Sequence, residues 1–320
     1  MDNIVLSTRI RLARNLKRFN FVPNLSVDDA NKITDKVIDS VMVSSGNSDS
    51  FFKKLEEEEI SKNGGALIEK HLISPGFLNS SLPVSLILSN DEEISIMLNE
   101  EDHIRIQTIK EGYNPNEAFN LCNITDDLIS EKCEYAFSKK YGYLTACPTN
   151  LGTGMRISFM VHIPAICMSG NLPDLKSNLE SAGIVIRGCY GEGSTSFGNL
   201  YQISNELTLG LSENEILEKI KKVIEKIVIM EKELRNKILN DNVKNNIMRS
   251  LGIIKNSYLM DFNEFTNLWS NIMLGISLNI IKNIDITKFK KLIFELAPYS
   301  LNEKNLKDEK IKRAGILREL

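Results

Sequence analysis

At 320 residues, 42% hydrophobic and 25% charged, the chain is long enough for one large or two ordinary domains with a full apolar core. A formal net charge of −3 argues against a general nucleic-acid or anionic-membrane binder, while leaving room for a local basic pocket. No apolar run approaches the ~18 residues of a membrane span, and the N-terminus lacks a basic-then-apolar signal, so a cytoplasmic protein is expected. Five cysteines without a CxxC pair and three histidines without metal spacing indicate neither a disulfide framework nor a zinc site.

In chain order, residues 3–16 read as a strand running into Ser7-Thr8-Arg9-Ile10-Arg11-Leu12-Ala13-Arg14-Asn15. Arg9 and Arg11 are two apart, which in an extended segment places both on one face; a solvated basic edge would give the same pattern. Ser26 precedes a helical pattern in Ala30, Ile33, Val37 and Val41, with Asp28 and Asp29 in a first turn where the helix dipole favours them. Residues 43–63 are mostly polar and read as a loop followed by a solvated helix face. His71, taken alone, is more often a structural histidine than a functional one.

Residues 84–89, 94–98 and 104–109 are short and alternating, the pattern of an antiparallel meander. Between the second and third runs lies Asn99-Glu100-Glu101-Asp102-His103-Ile104-Arg105, where crowded acidic groups are mildly unfavourable without a cation. An apolar run at 143–146 and an alternating one at 157–163 flank Cys147-Pro148-Thr149-Asn150-Leu151-Gly152-Thr153-Gly154-Met155-Arg156. Two readings compete for it. Either the proline and glycines are turn punctuation around a small apolar cysteine, or Gly152 and Gly154 admit a ligand close to the backbone and Arg156 holds an anion there.

A strand at 184–186 enters Arg187-Gly188-Cys189-Tyr190-Gly191-Glu192-Gly193-Ser194, a glycine-rich turn matching neither the P-loop nor the dinucleotide fingerprint. Residues 199–207 read as a further strand. Ser212 with Glu215 forms a capping box opening a long amphipathic helix through Ile216, Ile220, Val223, Ile227, Leu234 and Ile238, and helical pattern continues to the end. Cys122, Cys133 and Cys167 read as small buried residues.

Of 39 basic residues 11 are arginine, so lysine carries ordinary surface charge here. Between Arg18 and Arg235 the only arginines are Arg105, Arg156 and Arg187, each at an expected strand end or glycine-rich turn. A guanidinium fork binds phosphate in two-point fashion where lysine offers a point charge. With Arg9 and Arg11 they make five, and five such groups buried together repel unless a polyanion sits among them; a nucleoside triphosphate with magnesium is the most economical one. Glu101 and Glu192 are the carboxylates among them, suited to gripping a guanidinium acceptor and drawing off its proton, with Cys147 as a third contact.

These segments, in this order, resemble the signature segments of the ATP:guanidino (phosphagen) kinases, most nearly their bacterial protein arginine kinase branch. The resemblance covers about residues 4–234 and implies an α+β fold, an antiparallel β-sheet flanked by helices: a catalytic domain at 1–234, then a helical domain at 235–320 for substrate or phosphoarginine binding and dimerisation. It implies that Arg9, Arg11, Arg105, Arg156 and Arg187 hold the phosphates of Mg-ATP, with no metal ligand from protein side chains, and that His71 lies against the adenine. The nucleotide-binding segments it implies are Ser7-Thr8-Arg9-Ile10-Arg11, Arg156-Ile157-Ser158-Phe159-Met160 and Arg187-Gly188-Cys189-Tyr190-Gly191-Glu192. Glu101 would act as base, Glu192 would orient the guanidinium, and Cys147 would touch it.

Small-molecule members carry a helical domain ahead of the first motif, whereas this chain reaches that motif at Ser7, which leads us to expect an open site suited to arginine side chains of proteins. The family's C-terminal Arg-Asp-x-x-Arg-Ala segment, a second site for phosphoarginine, aligns with Glu309-Lys310-Ile311-Lys312-Arg313-Ala314; only Arg313 and Ala314 remain, so binding there is expected to be weakened or absent. The resemblance further implies a bacterial stress-response role, marking proteins that include a heat-shock repressor for a Clp protease, with a zinc-binding activator and as a homodimer. The alternatives are a kinase of a small free guanidino compound and a non-catalytic adaptor binding ATP or phosphoarginine.

Overall fold

Alternation along the first strand decides which side of the sheet carries chemistry. In β1 (Val5–Arg14), Thr8, Ile10 and Leu12 are buried, while Ser7, Arg9 and Arg11 stand half-buried on the other face. The structure, a computed structural model, describes residues 1, 3–44, 51–189 and 196–320. Among these, the further strands are β2 (Phe52–Leu55), β3 (Ser85–Ser89), β4 (Ile94–Leu98), β5 (Ile104–Glu111), β6 (Phe137–Ser138), β7 (Gly142–Tyr143), β8 (Met155–His162), β9 (Ile184–Gly188) and β10 (Leu200–Asn205). Eight of them hydrogen-bond in the order β2-β3-β4-β5-β1-β8-β10-β9, and β6 and β7 form a separate ribbon. The antiparallel register sets Arg11 opposite Gln107, Ala13 opposite Arg105, and Met97 opposite Arg105. Directly opposed residues share a face, so Arg105 joins Arg9 and Arg11 on one side.

The helices are α1 (Val27–Ser44), α2 (Glu57–Glu69), α3 (Pro115–Ser130), α4 (Pro164–Met168), α5 (Leu172–Ser181), α6 (Glu213–Ile238), α7 (Asp241–Asn256), α8 (Phe262–Ser277), α9 (Ile286–Glu295), α10 (Pro298–Leu301) and α11 (Leu306–Arg318). The Ser212–Glu215 box is formed, with the Ser212 N–H donating to Glu215 at 2.7 Å and the Glu215 N–H donating to Ser212 Oγ at 3.3 Å. The meander expected at 84–109 is β3-β4-β5. The polar stretch at 43–63 holds a strand, β2, paired to β3, where a loop was expected.

By compactness the chain divides into Ser7–Ser158 with Ser204–Lys221, and Met1–Leu6 with Phe159–Ile203 and Lys222–Leu320. The division therefore groups part of the expected 1–234 domain with the C-terminal helices. In the first unit, Leu55, Ile60, Leu67, Phe77, Leu86 and Met97 bury one core. In the second, fully buried Trp269 lies among Phe265, Ile272 and Phe289 and donates its indole N–H to the Phe289 carbonyl at 3.0 Å. The caps explain why helices break there so often: Asn240, Asp261, Asp285 and Asn305 each accept a backbone N–H at the start of α7, α8, α9 and α11.

Candidate active site

Four of the five expected arginines converge within the first unit. Burial, then the charges of Arg105 and Arg156, lowers Arg9 to about 10. Burial and the charges of Arg9, Arg105 and Arg156 push Arg11 well below its ordinary value, Glu100 acting the other way. Arg9 Nε also donates to Ser158 Oγ at 3.3 Å, tying β1 to β8 on the face of Arg156. His71 is carried by a left-handed residue (φ 61°) just past α2, where Gln107 Nε2 donates to its carbonyl at 2.7 Å. Burial, then the charges of Arg9 and Arg11, takes its imidazole down to about 3, so it is neutral at physiological pH.

Two carboxylates meet this cationic cluster. Arg105 Nη2 lies 2.8 Å from Glu100 Oε2 and 3.1 Å from Glu101 Oε2. Glu100, 12% exposed, is fixed from behind by a 2.7 Å hydrogen bond from Ser74 Oγ; Glu101, 41% exposed, also accepts from Asn150 Nδ2 at 3.3 Å and stays reachable from solvent. Glu100, Ser74 and Asn150 are contributions that only the folded chain reveals. Nothing in the spacing marks them, although the paired Glu100-Glu101 was a signal that two carboxylates shared the turn.

The acidic turn is built by its own polar residues. Asn99, left-handed at φ 62°, donates to the carbonyls of Ala30 and Pro83, both at 3.1 Å. Leu16 N–H donates to His103 Nδ1 at 3.0 Å, which leaves Nε2 to donate to the Asn20 carbonyl at 2.8 Å. On the Cys147 segment, Thr145 Oγ1 donates to the Cys147 carbonyl at 2.8 Å, and Cys147 Sγ lies 3.0 Å from Thr149 Oγ1, half-buried.

Several expectations are corrected. A Cβ on Gly152 (φ 111°) would meet the Thr208 carbonyl oxygen at 2.3 Å, and one on Gly154 (φ 63°) the Ala13 oxygen at 2.6 Å. These glycines thus admit the protein's own backbone, and the ligand-approach reading is not needed for them. Thr8, Ile10, Ile157 and Phe159 point into the core, Thr8 bonding the Gly112 carbonyl at 2.7 Å, so of those two segments Ser7, Arg9, Arg11, Arg156 and Ser158 face the cluster side. Met160 and Cys189 are buried in the apolar core around Trp269, and Gly188 is buried at the end of β9. Arg187 is half-buried on β9 in the second unit. Tyr190, Gly191 and Glu192 lie outside the described residues. In the C-terminal segment, where phosphoarginine binding is expected to be weakened or absent, Arg313 is 0% exposed, donates to the Leu296 and Met260 carbonyls at 2.8 and 2.9 Å and pairs with Glu309, and with buried Ala314 it packs the helical unit. A separate cavity of 590 Å³ lined by Phe119, Tyr141, Tyr143, Leu209 and Glu213 contains none of the clustered arginines.

This combination of an antiparallel sheet with an arginine cradle facing paired carboxylates defines a class, and comparison with known proteins agrees. Residues 32–234 match the ATP:guanido phosphotransferase, C-terminal catalytic domain, and residues 240–320 match the protein-arginine kinase McsB C-terminal domain. Among solved structures, the chain is similar to lombricine kinase (TM-score 0.66, 24% identity, 76% of this chain and 70% of that one). It is also similar to the duplicated taurocyamine kinase from Schistosoma mansoni with bound transition state analog components (TM-score 0.64, 25% identity, 73% of this chain and 34% of that one). Relatives named protein-arginine kinase are 42% identical in Clostridium acetobutylicum, over 99% of this chain and 96% of that protein, and 40% identical in Clostridium novyi, over 99% and 95%. The chain belongs to the ATP:guanido phosphotransferase family and, within it, to the protein-arginine kinases.

Proposed function

We propose that this chain transfers the γ-phosphoryl group of ATP to arginine side chains of proteins. The observation that carries the reading is the set of four mutually repelling guanidinium groups, Arg9, Arg11, Arg105 and Arg156, on one side of the sheet with Glu101 beside them. Such a cluster is unfavourable until a polyanion neutralises it, and a triphosphate carries the needed charge and acceptor geometry. Phosphoryl transfer asks chiefly for positioned cations around the moving group, which rigid strands supply. Magnesium would enter on the phosphates, keeping its waters and needing few protein carboxylates, and would neutralise charge developing on the transferred group.

Glu101 is accessible enough to take a proton from an incoming guanidinium, whose nitrogen is no nucleophile while protonated. In this reading Cys147 and Glu192 would fix the guanidinium plane and Arg187 would complete the phosphate contacts. His71, uncharged, would lie against the base of the nucleotide. No helix among the described residues is long and apolar enough to cross a membrane, and the relatives named above are from Clostridium species. In this reading the enzyme would work in the cytoplasm, marking proteins for Clp-dependent degradation together with an activator protein.

The test is incubation with γ-labelled ATP and either casein or free arginine. Acid-labile label on casein, as a P–N bond requires, is the expected result. Acid-stable label would mean hydroxyl transfer, and label on free arginine alone would mean a small-guanidine kinase. Glu101→Gln should lower kcat by about two orders of magnitude or more with little change in ATP affinity.

A further inference from the structure

Resting on the kinase reading above, we infer that Asp102, held by Asn15, is a positioning residue that sets the spacing between Glu101 and Cys147 and so the grip on the acceptor guanidinium. Asp102 directly follows Glu101, and Ala146 directly precedes Cys147. One oxygen ties these two segments together: Asp102 Oδ1 accepts the Ala146 N–H at 2.7 Å. The same oxygen accepts from Asn15 Nδ2 at 2.6 Å. Asn15 adds two bonds of its own, Nδ2 donating to the Leu144 carbonyl at 3.0 Å and Oδ1 accepting the His103 N–H at 2.9 Å. The turn bearing the proposed base, the segment bearing the thiol and the residue just past β1 are thereby joined at one point.

Burial makes that joint stiff. Asn15 and Asp102 are 1% and 2% exposed, so a displaced partner finds no water to replace it. The tie is made by Asn15, Asp102 and the backbone of Leu144, Ala146 and His103, while of the phosphate arginines Arg105 stands nearest, paired with Glu101 and acting on Asp102 through its charge. Loosening it should shift Glu101 relative to Cys147 while Arg9, Arg11 and Arg156, carried on β1 and β8, keep their places. Misplacement of about 1 Å in a catalytic pair costs on the order of 10²-fold in rate, which sets the size of the expected effect.

The experiment uses the full chain with Asn15→Ala, Asp102→Ala and the near-isosteric Asp102→Asn. Ile129→Ala, a core truncation on α3, serves as a comparison for lost stability alone. Two readouts are taken. The first is KM for casein and for ATP measured separately; the second is the rate at which iodoacetamide alkylates Cys147, followed by mass spectrometry of that peptide. The Ala variants should raise the casein KM or lower its kcat/KM by about 10- to 100-fold, with the ATP KM within about twofold. Cys147, freed from its tether, should alkylate severalfold faster, and Asp102→Asn, which keeps an acceptor oxygen, should fall between these variants and wild type. If casein and ATP parameters shift together in proportion to lost stability, as in Ile129→Ala, or if neither readout moves, the positioning role is wrong. Should Asn15→Ala or Asp102→Ala fail to fold, Asp102→Asn alone carries the comparison. If wild type puts no acid-labile label on casein, the kinase reading fails, and the alkylation rates still decide whether the joint holds Cys147.

Discussion

Arg14 and Arg9 are five residues apart on one strand and face opposite electrostatic surroundings. Arg14 is 1% exposed, and burial works against its charge, yet Asp126 prevails and its pKa is raised. Its Nε and Nη2 donate to Asp126 Oδ2 at 3.0 and 2.8 Å, and its guanidinium lies 3.6 Å from the Tyr143 ring centroid. Arg14 is an arginine serving the fold. Arg9 sits instead in a field dominated by Arg105 and Arg156. The two should therefore respond oppositely to neutralisation. Arg14→Met strands a buried carboxylate and should cost about 3–5 kcal/mol in urea unfolding. Arg9→Gln should raise the stability of the nucleotide-free protein by about 1 kcal/mol while weakening ATP binding, the usual trade between a strained site and its scaffold. Equal losses of stability in both variants would contradict the distinction.

At the scale of elements, the turn from β7 to β8 depends on glycine for packing against its own chain. Gly152→Ala places a methyl group against the Thr208 carbonyl at a left-handed residue, and should cost about 2 kcal/mol or more in thermal unfolding, where Gly210→Ala, with nothing within 4 Å, should cost less. The meander β3-β4-β5 and the helix opened by Ser212 were legible because periodicity and a local capping box are properties of neighbouring residues. Helix α3 gives no such local signal, since Asn114-Pro115-Asn116 looks like a turn and the helix takes its stability from packing on β5. Strand β2 was hidden because Phe52-Lys53-Lys54-Leu55 is too short and polar to declare itself without β3 beside it. The arginines were legible by scarcity against a lysine-rich background. The bond of Asn15 to Asp102 was not, because a contact across 87 residues leaves no local pattern, and Glu100, five residues before Arg105, shows its pairing only once the strand end is folded.

Across the whole molecule, all three histidines are held below their ordinary value, burial being the first cause for His71, His103 and His162 alike. Each takes up its proton less readily folded than unfolded, where it titrates near pH 6.5, so the stability it contributes is present above that pH and is lost progressively as pH falls from there toward the lower folded value. Asp102, Glu213 and Glu231, raised by burial, act in the opposite sense over the interval from their unfolded values near pH 4 up to their raised folded values. The melting temperature should thus fall between pH 7.5 and 5.5, and a flat profile there would show that the histidines titrate normally. The central claim is that separate strands deliver guanidinium groups to one triphosphate while Glu101 serves the acceptor. Calorimetric titration of ATP into wild type, Arg105→Gln, Arg156→Gln and Glu101→Gln tests it most directly. Each arginine variant should weaken ATP binding by about 10- to 100-fold, and Glu101→Gln should stay within about threefold of wild type; arginine variants that bind ATP as tightly as wild type would contradict it.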